Sequence, residues 1–179
     1  MKFFGQDMGR DTSAQPNLPA QAPAPTSPAG SPATGTDLPP LHRSRIEAWL
    51  GANGFTYFTD SDGDLGGLWN GRLFYFLVLG VDREVLQVRG QWNRDATVDR
   101  VPDLLDLCNR WNSDRIWPKA YLRVRDDGGV IVCADMTVDV EHGLTDDQLD
   151  QLLQCGLATG GAFFDELDGS FPDPLRGQG

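Results

Sequence analysis

The chain has no apolar run approaching the roughly 18 residues that a membrane-crossing helix needs, which excludes a helical span. The opening stretch MKFFGQDMGRD lacks the apolar core of an export signal, so a cytoplasmic protein is expected. Histidine is scarce. His42 and His142 stand alone, with no HExxH pattern and no metal-ligand spacing. There is no GxSxG elbow, no Gly-rich phosphate loop and no internal repeat. Cysteine is limited to Cys108, Cys133 and Cys155, an odd number without metal spacing. Each falls on an apolar stripe, as small buried side chains in a reducing compartment do. From Asp126 to Leu175 there is no lysine or arginine among twelve acidic residues, whereas His42 to Arg125 carries twelve basic and eleven acidic ones. With a net charge of −11 the chain lacks the basic face that nucleic acid requires. The acidic last third serves solubility, or it steers a basic partner. No catalytic residue, cofactor or metal is expected.

What is present begins with a change of composition near residue 40. Thr12 to Pro40 holds eight of the twelve prolines, no aromatic residue and almost no charge. Such a segment buries too little apolar surface to offset its ordering entropy. Residues 1–40 are therefore expected to be a disordered tail, 41–173 one folded domain, and 174–179 a short flexible end.

Within the domain, Ile46, Trp49, Leu50 and Asn53 follow helical spacing over His42–Asn53, and Gly54 suits the helix stop. Strands are expected at Phe55–Thr59, Leu65–Trp69, Arg72–Leu79 and Glu84–Trp92, with Asn70-Gly71 as a two-residue hairpin turn. Leu73–Leu79 is apolar on both faces, so a helix is expected over one and a second helix or another subunit over the other. Val98–Asn112 reads as a second helix, with Val98, Val101, Leu105, Cys108 and Asn112 on one stripe and Thr97 or Asp99 as its cap. Ala120–Arg125 follows with Leu122 and Val124 inward, then a turn at Asp126–Gly129. In Val130–Val140 the even-numbered side chains form the buried row. A capping box at Thr145–Gln148 opens the last helix, whose apolar face runs from Leu149 to Leu167. Gly156 and Gly160 leave a flat spot on that face. Short connections make this an α+β domain, one antiparallel sheet with three helices packed on it.

The DSDGD run at Asp60–Asp64 resembles a calcium loop only superficially. Such a loop wants glycine at its sixth position and a bidentate glutamate at its twelfth, where Leu65 and Gly71 stand. A turn is the better reading. Trp49, Trp69, Trp92, Trp111 and Trp117 all fall in elements or at their ends. Tryptophan there either packs the core with its N–H bonded, or anchors a partner.

DGDLGGLWNGRLFYFLVLG, EVLQVRGQW, CNRWNSDRIWPKAYLRV and the long terminal helix VDVEHGLTDDQLDQLLQCGLATGGAFFDELDGSFP together resemble the YbjN family in its actinobacterial form. Members of that family are called sensory transduction regulators. The resemblance covers about residues 40–173. It implies a fold like that of the type III secretion chaperones, often dimeric, and it brings no catalytic residue.

The expected function is a non-enzymatic cytoplasmic protein-binding module, chaperone-like or regulatory. Its candidate partner-binding residues are Trp92, Trp117 and Phe76. The alternatives are a self-associating homodimer domain without a client, or a small-molecule-sensing domain.

Overall fold

The computed structural model describes residues 38–172. Most of the expected tail (1–40) and all of the expected C-terminal end (174–179) lie outside these residues. The elements are α1 (Arg43–Ala52), β1 (Tyr57–Thr59), β2 (Leu65–Trp69), β3 (Arg72–Leu79), β4 (Val85–Gln91), a 3₁₀ turn (Val98–Arg100) leading into α2 (Val101–Asp114), β5 (Lys119–Val124), β6 (Val130–Asp139) and α3 (Asp146–Ser170). The strands form one antiparallel sheet in the order β1-β2-β3-β4-β6-β5. The expected element order and the α+β class are both met.

Local chemistry sets the corners. Asn70 and Gly71 supply the two positive φ angles, 51° and 75°, that the tight β2–β3 turn requires. The Asp60 carboxylate accepts the N–H groups of Asp62 and Asp64 at 3.0 and 2.9 Å, so DSDGD is a side-chain-held turn. Thr145 and Gln148 form the reciprocal capping box of α3. The expected caps of α2 are absent. The 3₁₀ turn precedes that helix, and the Thr97 hydroxyl donates to Asp99 instead.

All three helices lie on one face of the sheet. Phe74, Phe76, Val88 and Met136 point toward them, and Phe163, Phe164, Leu153 and Leu50 fill the layer between. The glycine flat spot of α3 lets the helix settle on the sheet's side chains. A Cβ on Gly156 would stand 2.7 Å from Val88 Cβ, and one on Gly160 2.8 Å from the Phe74 ring. Gly156→Ala is accordingly expected to destabilise the domain by about 1–3 kcal/mol in a urea titration. Gly161→Ala, with nothing within 4 Å of its added Cβ, is the control and should be neutral or stabilising.

Two stripes differ from expectation. α2 begins at Val101 and buries Leu104, Leu107, Cys108 and Trp111, the i, i+3, i+4, i+7 seam. Val98 and Leu105 are exposed instead. On β5, Ala120 is buried and Leu122 half-buried, but Val124 at the end of this edge strand is exposed.

The helix-to-strand corner is built by adjacent residues. Trp111 packs edge-on to Phe163 at 5.1 Å, with Arg115 stacked 3.9 Å from its ring. Asn112 then accepts the Ala120 N–H and donates to the Ala120 carbonyl, both at 2.8 Å. Its amide imitates a neighbouring strand and closes the open edge of β5 at that point. The Trp117–Pro118 peptide that follows is cis.

The second cover expected over β3 is not supplied by any described helix or strand. Leu73, Tyr75, Leu77 and Leu79 point away from the helices, in rows with β4 and β2 that the register fixes.

Candidate functional site

Three surfaces carry chemistry: the outer sheet face and two clefts on the helix side. On the outer face, β3 lies beside Gly66 of β2, where a Cβ would meet the rings of Phe58 and Tyr75. With no side chain there, these two rings meet edge-on at 5.9 Å. Leu68 beside them is 68 % exposed, and Phe58 and Leu79 are exposed as well. Toward β5 the same face becomes polar. Asp135 accepts from Arg89 at 3.2 Å and from the Tyr121 hydroxyl at 3.0 Å. Arg89 also donates to Gln87 at 2.7 Å, and Gln87 to Thr137 at 2.8 Å. Burial pushes the Tyr121 phenol well up, and Asp135 beside it adds to the effect. Cys133, in the same patch, is buried and likewise raised, chiefly by burial. Both shifts run toward the protonated form, opposite to the direction that activates a thiol or phenol.

The larger cleft, about 670 Å³, lies between the β4–α2 connection, α2 and the end of α3. Its arginines come with acids on the same walls. Arg94 bonds Asp168 and the Phe171 carbonyl and stacks on Trp92, and Arg100 pairs with Asp103. Charges of both signs leave it without a clear preference.

The second cleft, about 470 Å³, has Trp117 on one wall and α3 residues Gln148, Gln151, Leu152 and Cys155 on the other, with Val138 to Leu144 between. Trp117, Val138, Leu152 and Cys155 are all half-buried. The rim loop is firmly held. Leu144 N–H donates to the Pro39 carbonyl at 3.0 Å, and Arg45 bonds the Leu144 carbonyl at 2.8 Å and Asp146 at 2.6 Å. Gly143 has φ 77°, and a Cβ there would lie 2.3 Å from the Leu38 carbonyl oxygen, so this loop accepts glycine alone.

These surfaces sort the expected residues. Phe76 is 2 % exposed and lies between Trp69 and Trp49, facing the helices. Trp92 is 4 % exposed, and its indole N–H donates to Asp168 at 2.9 Å. Phe76 is thus a core residue, because the inner face of the sheet is the one the helices cover, and Trp92 packs in the same core while also lining the larger cleft. Trp117 is the most open of the three, half-buried on the second cleft. Trp49 also bonds through its indole, to Asp150 at 2.6 Å, whereas the Trp69 and Trp111 N–H groups have no partner among the described residues. Of the three cysteines, Cys108 is buried, its thiol pushed up to about 11 by burial, but Cys155 is not fully covered. His142 stands exposed beside Glu141 on the Trp117 cleft, and the Asp60 turn faces no cleft described above. The contributions of Leu68 and Phe58 were not read from the sequence, whereas Leu152 lies on the apolar face expected for α3. The signal of Leu68 and Phe58 was weak because each is a single apolar residue on the outer side of a short strand.

No described helix is long and apolar enough to cross a membrane. No curated protein sequence matches the chain. Among solved structures it is similar to "YbjN, a putative transcription regulator from E. coli", with 14 % identity over 73 % of this chain and 93 % of that one, at a TM-score of 0.63. A structure of an uncharacterized protein from Methanothermobacter thermautotrophicus aligns with 11 % identity over 73 % of this chain and 99 % of that one, at a TM-score of 0.49. The family model YbjN, described as "Putative bacterial sensory transduction regulator", matches residues 42–169. With the whole sheet and nearly all of its helical layer inside that match, the chain belongs to the YbjN family.

Proposed function

We propose that this domain is a non-enzymatic regulatory module that acts by holding a protein partner on the outer face of its sheet. The observation that carries this reading is the apolar half of that face, where Phe58, Leu68, Leu73, Tyr75 and Leu79 lie under no helix or strand among the described residues. An apolar patch on one side and a closed polar lattice beside it match the make-up of interface cores and rims. The family description names a regulator and no chemical activity, which agrees with a binding role. Covering Leu68 alone would contribute about 1–2 kcal/mol to association.

The test places a photo-cross-linking residue at position 68 in the native cell and identifies what it captures. Leu68→Asp should change folding stability by less than about 0.5 kcal/mol, because the side chain is exposed, while abolishing capture through position 75. Capture of nothing from either position would overturn the reading. Cross-links solely to the chain itself, with light scattering showing a stable dimer, would assign the same face to a second copy.

A further inference from the structure

We infer that the Trp117 cleft takes an apolar side chain carried on a lysine- or arginine-bearing segment of a protein partner. This surface lies on the helix side of the sheet and is independent of the outer-face reading.

Size comes first. About 470 Å³ accommodates one or two large side chains, within the range of pockets that anchor a linear segment. Trp117, Val138 and Leu152 offer it apolar walls. A half-buried tryptophan at such a place is the usual anchor of a recognition site. The rim is fixed by Pro39 and Arg45 as described, so little conformational freedom is lost when the cleft fills.

Charge then selects the partner. Glu141 stands on the rim with His142 beside it, Asp139 lies at the strand end where its carboxylate accepts the Glu141 N–H, and no lysine or arginine lines the cleft. Every wall except Trp117 comes from the stretch that holds twelve acids and no lysine or arginine. Arg83 lines the adjoining hollow beyond Glu141 and His142, not this cleft, and two other cations close by are engaged elsewhere. Arg45 is paired with Asp146, and Arg115 stacks on Trp111 and reaches Glu166. Lys119 lies in the outer-face row of Asp135. An anionic ligand would meet like charge at this rim, whereas a neutral apolar one would gain nothing from it. A segment with basic residues flanking its apolar anchor satisfies both walls and rim.

The experiment uses the full chain and three fluorescein-labelled peptides: one with a Leu-Phe-Leu centre flanked by lysines, its glutamate-flanked twin, and a lysine peptide without apolar residues. The first should bind with micromolar affinity by anisotropy and the other two far more weakly. Trp117→Ala, and separately the double variant Asp139→Lys with Glu141→Lys, should each weaken it by roughly tenfold or more. The double variant Asp126→Lys with Asp127→Lys, in the β5–β6 turn, should leave it unchanged. Bound peptide should also slow alkylation of Cys155, which lines the cleft, with buried Cys108 and Cys133 as internal controls. Equal binding of the twin, no effect of either cleft variant, an unprotected Cys155, or an equal loss from the turn variant would each overturn the assignment. Leu68→Asp should leave peptide binding intact, so failure here and failure of the outer-face reading are seen separately.

Discussion

Trp111→Ala is expected to destabilise the domain by about 3–5 kcal/mol, lowering its melting temperature by roughly 10–20 °C. Trp111 is 4 % exposed and joins two layers. One side of its ring meets Phe163 of α3 and another carries the Arg115 guanidinium. Removing the indole opens a cavity between α2 and α3 that leucines and phenylalanines around it cannot fill without moving backbone. The next residue, Asn112, forms both hydrogen bonds to Ala120 that close the β5 edge, so loss of the ring also loosens that clamp. Urea or thermal unfolding measures the effect. A change below about 0.5 kcal/mol would show that the side chain is not in the core.

Asp168→Ala is the second large loss, expected at about 2–4 kcal/mol. Asp168 gathers three donors from the far end of the sheet: the Trp92 indole, Arg72 and Arg94. Arg72 has a side chain only 8 % exposed, lies near the Phe164 ring, and keeps Asp165 and the Gly161 carbonyl as its other partners. Without Asp168 one donor of this covered cation and two neighbouring donors are left unmatched. The same network sets a pH dependence. Burial works against ionisation of Asp168, but hydrogen bonds from Trp92, Arg72 and Arg94 outweigh it and hold the carboxyl below its ordinary range. A folded-state pKa below the unfolded one contributes stability that is complete above the unfolded value of about 3.9 and is lost as pH falls through the folded value. Stability should therefore decline on the acid side of about pH 4. Asp168→Asn should flatten that limb while lowering stability at neutral pH. Asp168 is partly exposed, so salt should shrink the effect. Acid titrations of both chains at two salt concentrations would decide it; parallel curves would remove Asp168 as the cause.

Local signals were legible wherever a few neighbouring residues suffice to fix the backbone. The Asn70-Gly71 turn, the Asp60 turn, the capping box of α3 and the alternation of β6 were all readable for that reason. The α2 stripe was not. Val98 and Leu105 fit a helical repeat as well as Leu104 and Leu107 do, and the α-helix begins three residues later than the pattern implies. Trp92 and Phe76 could be placed on strands from the sequence, but which side of those strands is covered depends on where α3 docks. Two glycines and the edge-on packing of aromatic rings decide that docking.

The sequence by itself determined the element order, the antiparallel sheet with three helices and the family, because turn chemistry, periodicity and the NRWNSDRIWPK block are local properties. Only the tertiary structure decided that all three helices share one face, that no described helix or strand covers the outer side of β3, and that Trp117 meets Val138 and Leu152 across a cleft. Those outcomes depend on contacts between residues far apart in the chain. Which apolar side chains are buried, and which stay exposed, is settled by packing density at those contacts rather than by hydrophobicity alone.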